Sequence, residues 1–330
     1  MKTINHPANL LLFRKLEEKC GDRTVREIRE ALGLLKEAVY RRRKGEVSFS
    51  LTEAATLARE FNISLDKALE NACGTSWELQ LYGGQPDSGP SADSAVFFGD
   101  FCDEIGQLAR SRSSRIYFCC TSLPIPFCLE SEALLRYYVF KSANTERLPA
   151  DRRQTFGETV IPEARVPRLR ALYDDLQAIG SSTFILNREL FRNLAGDIVY
   201  FHRMGLISSD EVGLLQAGVL AMIARIEQVA AEGRYDNGNR ASFYLSDFQF
   251  ESSHILCESD SQEMCVLNAT EIMSNVVGRG SAACDVVRRR IEALMRMSTF
   301  VSGSGTLFRM NYFARNAGII RQLTDELYCY

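Results

Sequence analysis

Four consecutive cations, Arg41, Arg42, Arg43 and Lys44, close a run that also carries Lys36, Glu37 and Tyr40. On a helix, positions 36, 37, 40, 41 and 44 recur at three- and four-residue intervals and share one face. Guanidinium and ammonium groups suit phosphate oxygens, and the longer polar side chains also reach the hydrogen-bonding edges of bases. The chemistry on offer is reversible recognition of double-stranded DNA rather than bond making. Cations also suit any helix C-terminus through its dipole, which accounts for part of the run. The local charge balance goes further: residues 1–45 carry 12 Lys and Arg against 6 Asp and Glu, in a 330-residue chain of net charge −3. A small basic module on an acidic remainder fits contact by one part of the chain, not general coating of nucleic acid.

Such a row works only on a helix held from behind. Leu35, Ala38 and Val39 supply that buried side, in a helix expected from Leu35 to Lys44. Thr24 followed by Glu27 reads as a capping box that opens the preceding helix, with Ile28, Ala31 and Leu32 inward and Gly33 able to take the positive φ that stops it. Upstream, Ala8 to Lys19 is amphipathic and ends at Gly21. Downstream, Ser50 with Glu53 repeats the capping box, Leu51, Ala54, Leu57, Ala58 and Phe61 give an apolar face, and Ser64 caps a last short helix with Leu65, Ala68 and Leu69 inward. An all-α bundle of five short helices is expected.

This order of elements resembles the lambda-repressor/Cro-like helix-turn-helix family, often called XRE. The resemblance covers roughly residues 8–71 and is most specific at Gly33, Val39, Gly45 and the ending LAREFNISLDKAL. It implies that the Leu35–Lys44 helix enters the major groove while the preceding helix crosses the backbone. Carried onto this chain, Lys36, Glu37, Tyr40 and Arg41 become the base-edge residues. Arg43 and Lys44 become phosphate contacts, with Thr24 and Arg26 at the start of the first motif helix as further DNA-binding positions. Arg29 stands where the family usually has a small residue, Arg42 where an aliphatic residue completes the core, and Val25 where a polar residue often touches phosphate. Arginine can bury its stem and keep its head in water. The resemblance implies a bacterial-type transcriptional regulator.

The expected domains are residues 1–73 for the helical module, a Gly-, Pro- and Ser-rich linker over 74–94, and a larger α+β body over 95–330. In the body, helices are expected at Val96–Arg110, Glu130–Phe140, Arg168–Ala178, Arg188–Arg203, Ser209–Glu232, Ala282–Met297 and Thr306–Glu326. Strands are expected at Arg115–Thr121, Ser182–Leu186, Ala241–Phe250, Ser253–Cys257 and Met264–Asn268. Along Ser209–Glu232, Leu215, Val219, Met222, Ile226 and Val229 follow the four-three spacing of a helix seam, which serves either the core or a homodimer interface.

One stretch of the body invites a small-molecule or anionic effector. Residues Ser302, Gly303, Ser304, Gly305, Thr306 and Arg309 lie at a glycine-rich turn opening a helix, where free amides and an arginine can hold an anion. The same stretch also reads as a flexible connection. No catalytic residue set emerges. His6, His202 and His254 have no metal-ligand spacing, ten cysteines form no paired C-x-x-C ligands, and phosphate-loop and nucleophile-elbow patterns are absent. A Cys119 or Cys120 thiol with His202 or His254 is left as a minor possibility. No cofactor, metal or membrane partner is expected, and the cysteines read as free thiols of a cytoplasmic protein. The expected function is a sequence-specific DNA-binding regulator whose body senses a ligand or dimerises. The alternative is an enzyme or protein-interaction body with a helical targeting module.

Overall fold

The computed structural model describes residues 7–61, 63, 65, 78–82, 92–144, 153–267 and 275–323. The chain divides into two compact units, Met1–Glu78 and Leu79–Tyr330.

The first unit is helical: α1 (Pro7–Cys20), α2 (Thr24–Leu32), α3 (Lys36–Arg43) and α4 (Leu51–Glu60). Leu12, Phe13 and Leu16 of α1 meet Ile28, Val39 and Leu57 in a single buried cluster, so each helix contributes its apolar stripe. Gly33 ends α2 at φ 64°, the left-handed conformation that favours glycine. Ser50 and Glu53 form the full capping box at the start of α4. The box expected at Thr24 does not form. A 3₁₀ turn, Gly21–Arg23, runs directly into α2, so Arg23 at the cap is already helical and no extended residue is there to turn a side chain onto the free amides. Thr24 is buried, and its hydroxyl donates to the Gly21 carbonyl at 2.6 Å. The last helix expected from Ser64 lies outside the described residues, apart from Ile63 and Leu65.

The second unit is a mixed α/β body built on one sheet with strand order β1-β7-β6-β5-β2-β3-β4-β8. The strands are β1 (Glu78–Tyr82), β2 (Arg115–Cys120), β3 (Ser181–Asn187), β4 (Arg240–Ser246), β5 (His254–Glu258), β6 (Glu263–Leu267), β7 (Asn275–Arg279) and β8 (Ser298–Phe300). β2, β3 and β4 are parallel neighbours, with Phe118 opposite Phe184 and Phe184 opposite Phe243. Their rings stack at 5.0 and 4.7 Å, a ladder along the centre of the sheet. β5, β6 and β7 follow as antiparallel neighbours on one side of β2, and β8 pairs antiparallel with β4. β1 falls inside the expected linker; its sequence ELQLY alternates in the strand period, and the glycine-rich composition that follows hides it.

Besides the short helix Ile125–Cys128, the described helices of the body are α5 (Ala92–Ala109), α6 (Glu132–Ser142), α7 (Val166–Ala178), α8 (Leu190–Arg203), α9 (Ser209–Glu232), α10 (Ser281–Arg296) and α11 (Thr306–Arg321). Strand alternation sorts them. Phe184 and Leu186 join the large cluster that contains residues of α5 to α9 and α11, whereas Ile185 joins Cys119, Leu256 and Cys265 under α10. The α9 seam belongs to the large cluster: Leu215, Val219, Met222, Ile226 and Val229 are all buried within this chain. The seam is therefore core packing and not a dimer interface. Among the described residues α9 is also the one helix long and apolar enough to cross a membrane.

Candidate nucleic-acid interface

The interface begins with Val39, which is fully buried and fixes which side of α3 faces the core. The helical period then leaves Lys36, Glu37, Tyr40, Arg41 and Lys44 exposed. Lys36 Nζ lies 5.9 Å from the centre of the Tyr40 ring, close enough for a weak cation–π contact that keeps the two side chains together. Arg41 Nε is 3.6 Å from Glu46, an exposed and therefore weak pairing. Lys44 has no ion pair among the described residues.

Asn9, which a spacing argument cannot find, and Glu53, which it finds only as a cap, hold the end of this helix. Asn9 of α1 is buried; its Nδ2 donates to the Arg42 carbonyl at 2.6 Å and its Oδ1 accepts from the Phe49 amide at 2.8 Å. One side chain thus ties α3 to the segment entering α4. Glu53 of α4 accepts from Arg42 Nη2 at 2.7 Å and also completes the Ser50 capping box through its second oxygen, 2.7 Å from the Ser50 amide. Arg42 is consequently a structural residue. Its guanidinium carbon sits 5.7 Å from the Phe49 ring centre, in the space that an aliphatic side chain was expected to fill.

The remaining expected DNA-binding residues divide. Thr24 is buried and its hydroxyl is engaged with backbone, so it is withdrawn from the interface. Arg26 is exposed and pairs with Glu30 at 2.9 Å along its own helix. Arg43 turns toward α1 and pairs with Glu17 at 2.8 Å, which neutralises one of the four consecutive cations.

In the body, the glycine turn expected to hold an anion is braced from inside. Ser302 Oγ accepts from the Phe243 amide at 2.8 Å. Arg309 is buried, and its Nη1 donates to the carbonyls of Val301 at 2.8 Å and Ser304 at 3.1 Å. Gly303 and Gly305 adopt φ of 66° and 64°, and Gly305 caps α11 ahead of Thr306. Ser302 and Arg309 are therefore committed to the connection itself, and the six residues do not converge on an open anion cradle.

The cysteine–histidine pairing resolves in the same direction. Cys119 and His254 are cross-strand partners on β2 and β5. Burial pushes the Cys119 thiol up to about 12, while burial and the charge of Arg290 pull the His254 imidazole down to about 4. At neutral pH both are uncharged, the opposite of an activated thiolate–imidazolium couple. Cys120 is fully buried chemistry of the same kind, its thiol raised by desolvation. His202, at the end of α8, places Nδ1 2.7 Å from the Ile207 carbonyl, which requires the proton to sit on that nitrogen. His6 lies outside the described residues. Among the described residues no group of three or more His, Cys, Asp or Glu is placed to hold a metal ion.

Against known protein families, curated proteins and solved structures, the chain matches none.

Proposed function

We infer that this chain is a sequence-specific DNA-binding transcriptional regulator of the lambda-repressor/Cro-like kind. The observation that carries the reading is the exposed row Lys36, Glu37, Tyr40, Arg41 and Lys44 on a helix whose reverse side is anchored by Val39, Asn9 and the Arg42–Glu53 pair. A rigidly backed helix presenting cations and an aromatic ring suits the major groove, where Lys36, Glu37, Tyr40 and Arg41 reach base edges and Lys44 meets phosphate. Arg43 contributes once its contact with Glu17 is exchanged for phosphate. The mixed α/β body serves as the regulatory part, acting in the cytoplasm. Two copies associate through a surface other than the α9 seam and read half-sites about one DNA turn apart. Regulation is a population shift, in which an effector favours one arrangement of the two readers over another.

The test is recovery of genomic fragments by the full-length protein at two salt concentrations. A small set of fragments sharing a palindromic site supports the reading. Tyr40→Ala and Arg41→Ala then erase the preference among sites, whereas Lys44→Ala weakens all DNA alike and lowers the salt slope by about one. Uniform recovery of all fragments, or equal small effects of the three substitutions, refutes groove readout by α3.

A further inference from the structure

The body contains a cleft of about 600 Å³ walled by α6, α7 and the segment at 157–161. That volume is in the range of small-ligand sites, roughly 300–1,000 Å³. Its lining is chemically divided. Leu135, Ile161 and Leu169 form an apolar wall that continues into a narrower recess of about 30 Å³ against Phe98 and Tyr138. On the other side stands Arg136.

Arg136 is the unusual member. Its guanidinium carbon lies 4.1 Å from the centre of the Phe156 ring, and Phe156 is fully buried. Stacking of this kind holds the planar cation in one orientation without neutralising it. Among the described residues no carboxylate pairs with it, and its Nε is buried without a hydrogen-bond partner, as are those of Arg42 and Arg309. Arg136 lines the cleft, and the terminal nitrogens of its fork are the donors that an anionic oxygen there can meet. The other charges of the cleft, Glu132, Arg170 and Asp174, are all exposed and solvated at its mouth. Tyr173 is occupied, donating to Glu130 at 3.2 Å.

We propose that this cleft binds an amphipathic anion, a molecule with a carboxylate or phosphate head and an apolar body. The head meets Arg136, and the body lies along Leu135, Ile161 and Leu169 toward the Phe98–Tyr138 recess. A neutral apolar molecule makes no use of the Arg136 charge, and a cationic one is repelled by it. As an effector site the cleft rests on the DNA-binding reading above; as a ligand site it rests on the body alone.

The experiment is calorimetric titration of the full-length protein, without DNA, with decanoate, decyl phosphate and decylamine. Saturable binding of at least one of the two anions, with no binding of decylamine, is expected, and the tighter anion identifies the head group. Arg136→Gln weakens that binding by about tenfold or more, whereas Arg136→Lys, which keeps the charge but not the planar stack on Phe156, weakens it less, with circular dichroism confirming that both variants are folded. Absence of binding by both anions, equal binding of decylamine, or unchanged affinity in folded Arg136→Gln overturns the proposal. The wild-type contrast between anion and amine decides the matter even if Arg136→Gln does not fold. Repeating the DNA recovery with the bound anion present then reads the effector role separately: ligand binding with no DNA binding defeats the regulator reading and leaves the ligand site standing.

Discussion

Arg42 Nη2 lies 2.7 Å from Glu53 Oε1, joining the last turn of α3 to the first turn of α4. Both side chains are mostly withdrawn from solvent, at 13% and 21% exposure, so this pair is screened less than the others in the helical unit. Arg42 Nη1 also donates to the Ala38 carbonyl at 3.3 Å, and the Glu53 carboxylate caps its own helix. The orientation of the exposed row on α3 thus depends on a carboxylate 11 residues further along.

Glu53→Ala removes the ion pair and the capping box together and leaves a half-buried guanidinium. It is expected to destabilise the helical unit by about 2–4 kcal/mol. Glu53→Gln keeps a capping side chain and loses only the charge, so its cost is smaller. Thermal unfolding followed by circular dichroism ranks the two, and equal costs would show that the cap contributes nothing.

Glu17 pairs with the exposed Arg43 at 2.8 Å and offsets its charge. Glu17→Ala releases that cation and removes a negative charge beside it. General DNA affinity is expected to rise several-fold, with a salt slope steeper by about one, while the ranking of sites is unchanged. Fluorescence anisotropy over a salt series measures both quantities; a changed ranking would place Arg43 on bases instead.

Ile226 is fully buried on α9. Ile226→Ala is expected to cost about 2–4 kcal/mol of body stability, because surrounding atoms collapse only partly into the vacated space. The elution volume on size-exclusion chromatography stays that of the wild type. A shift in oligomeric state at unchanged stability would return the seam to an interface.

His254 has its folded-state pKa pulled down to about 4 from the usual 6.5. Above pH 6.5 both folded and unfolded chains hold it neutral, and no stability difference arises. As pH falls from 6.5 toward 4 the unfolded chain takes up a proton that the native body refuses, so stability is lost across that window, by about 3 kcal/mol at most. His254→Gln flattens this part of the stability–pH curve. An unchanged slope would show that His254 titrates normally in the folded protein.

Much of the local structure was legible because it rests on contacts between residues close in sequence. Gly33 stops α2 where a positive φ was expected, the Ser50–Glu53 box forms as read, and Ser209–Glu232 is a helix over the expected span. Thr24 shows the limit: the same capping letters fail when the preceding residues already run as a 3₁₀ turn. β7 was missed because it is short and takes its backbone partners from a neighbouring strand, so it has no strong pattern of its own.

The exposed row on α3 was determined by sequence alone, since helical period and one buried valine fix which residues face outward. Tertiary structure decided what those residues are free to do. Arg42 went to Glu53 and Arg43 to Glu17, because each partner lies on another helix and no periodicity relates them, while Thr24 turned inward onto the Gly21 carbonyl of the preceding 3₁₀ turn. The α9 seam shows the same division: spacing showed that one face is apolar, while only packing of the sheet and helices around it decided that the face closes this chain's own core. The cleft at Arg136 was invisible to sequence for that reason too. Its walls come from α6, α7 and a connecting segment, and a cavity is a property of the space between elements, which no single element encodes.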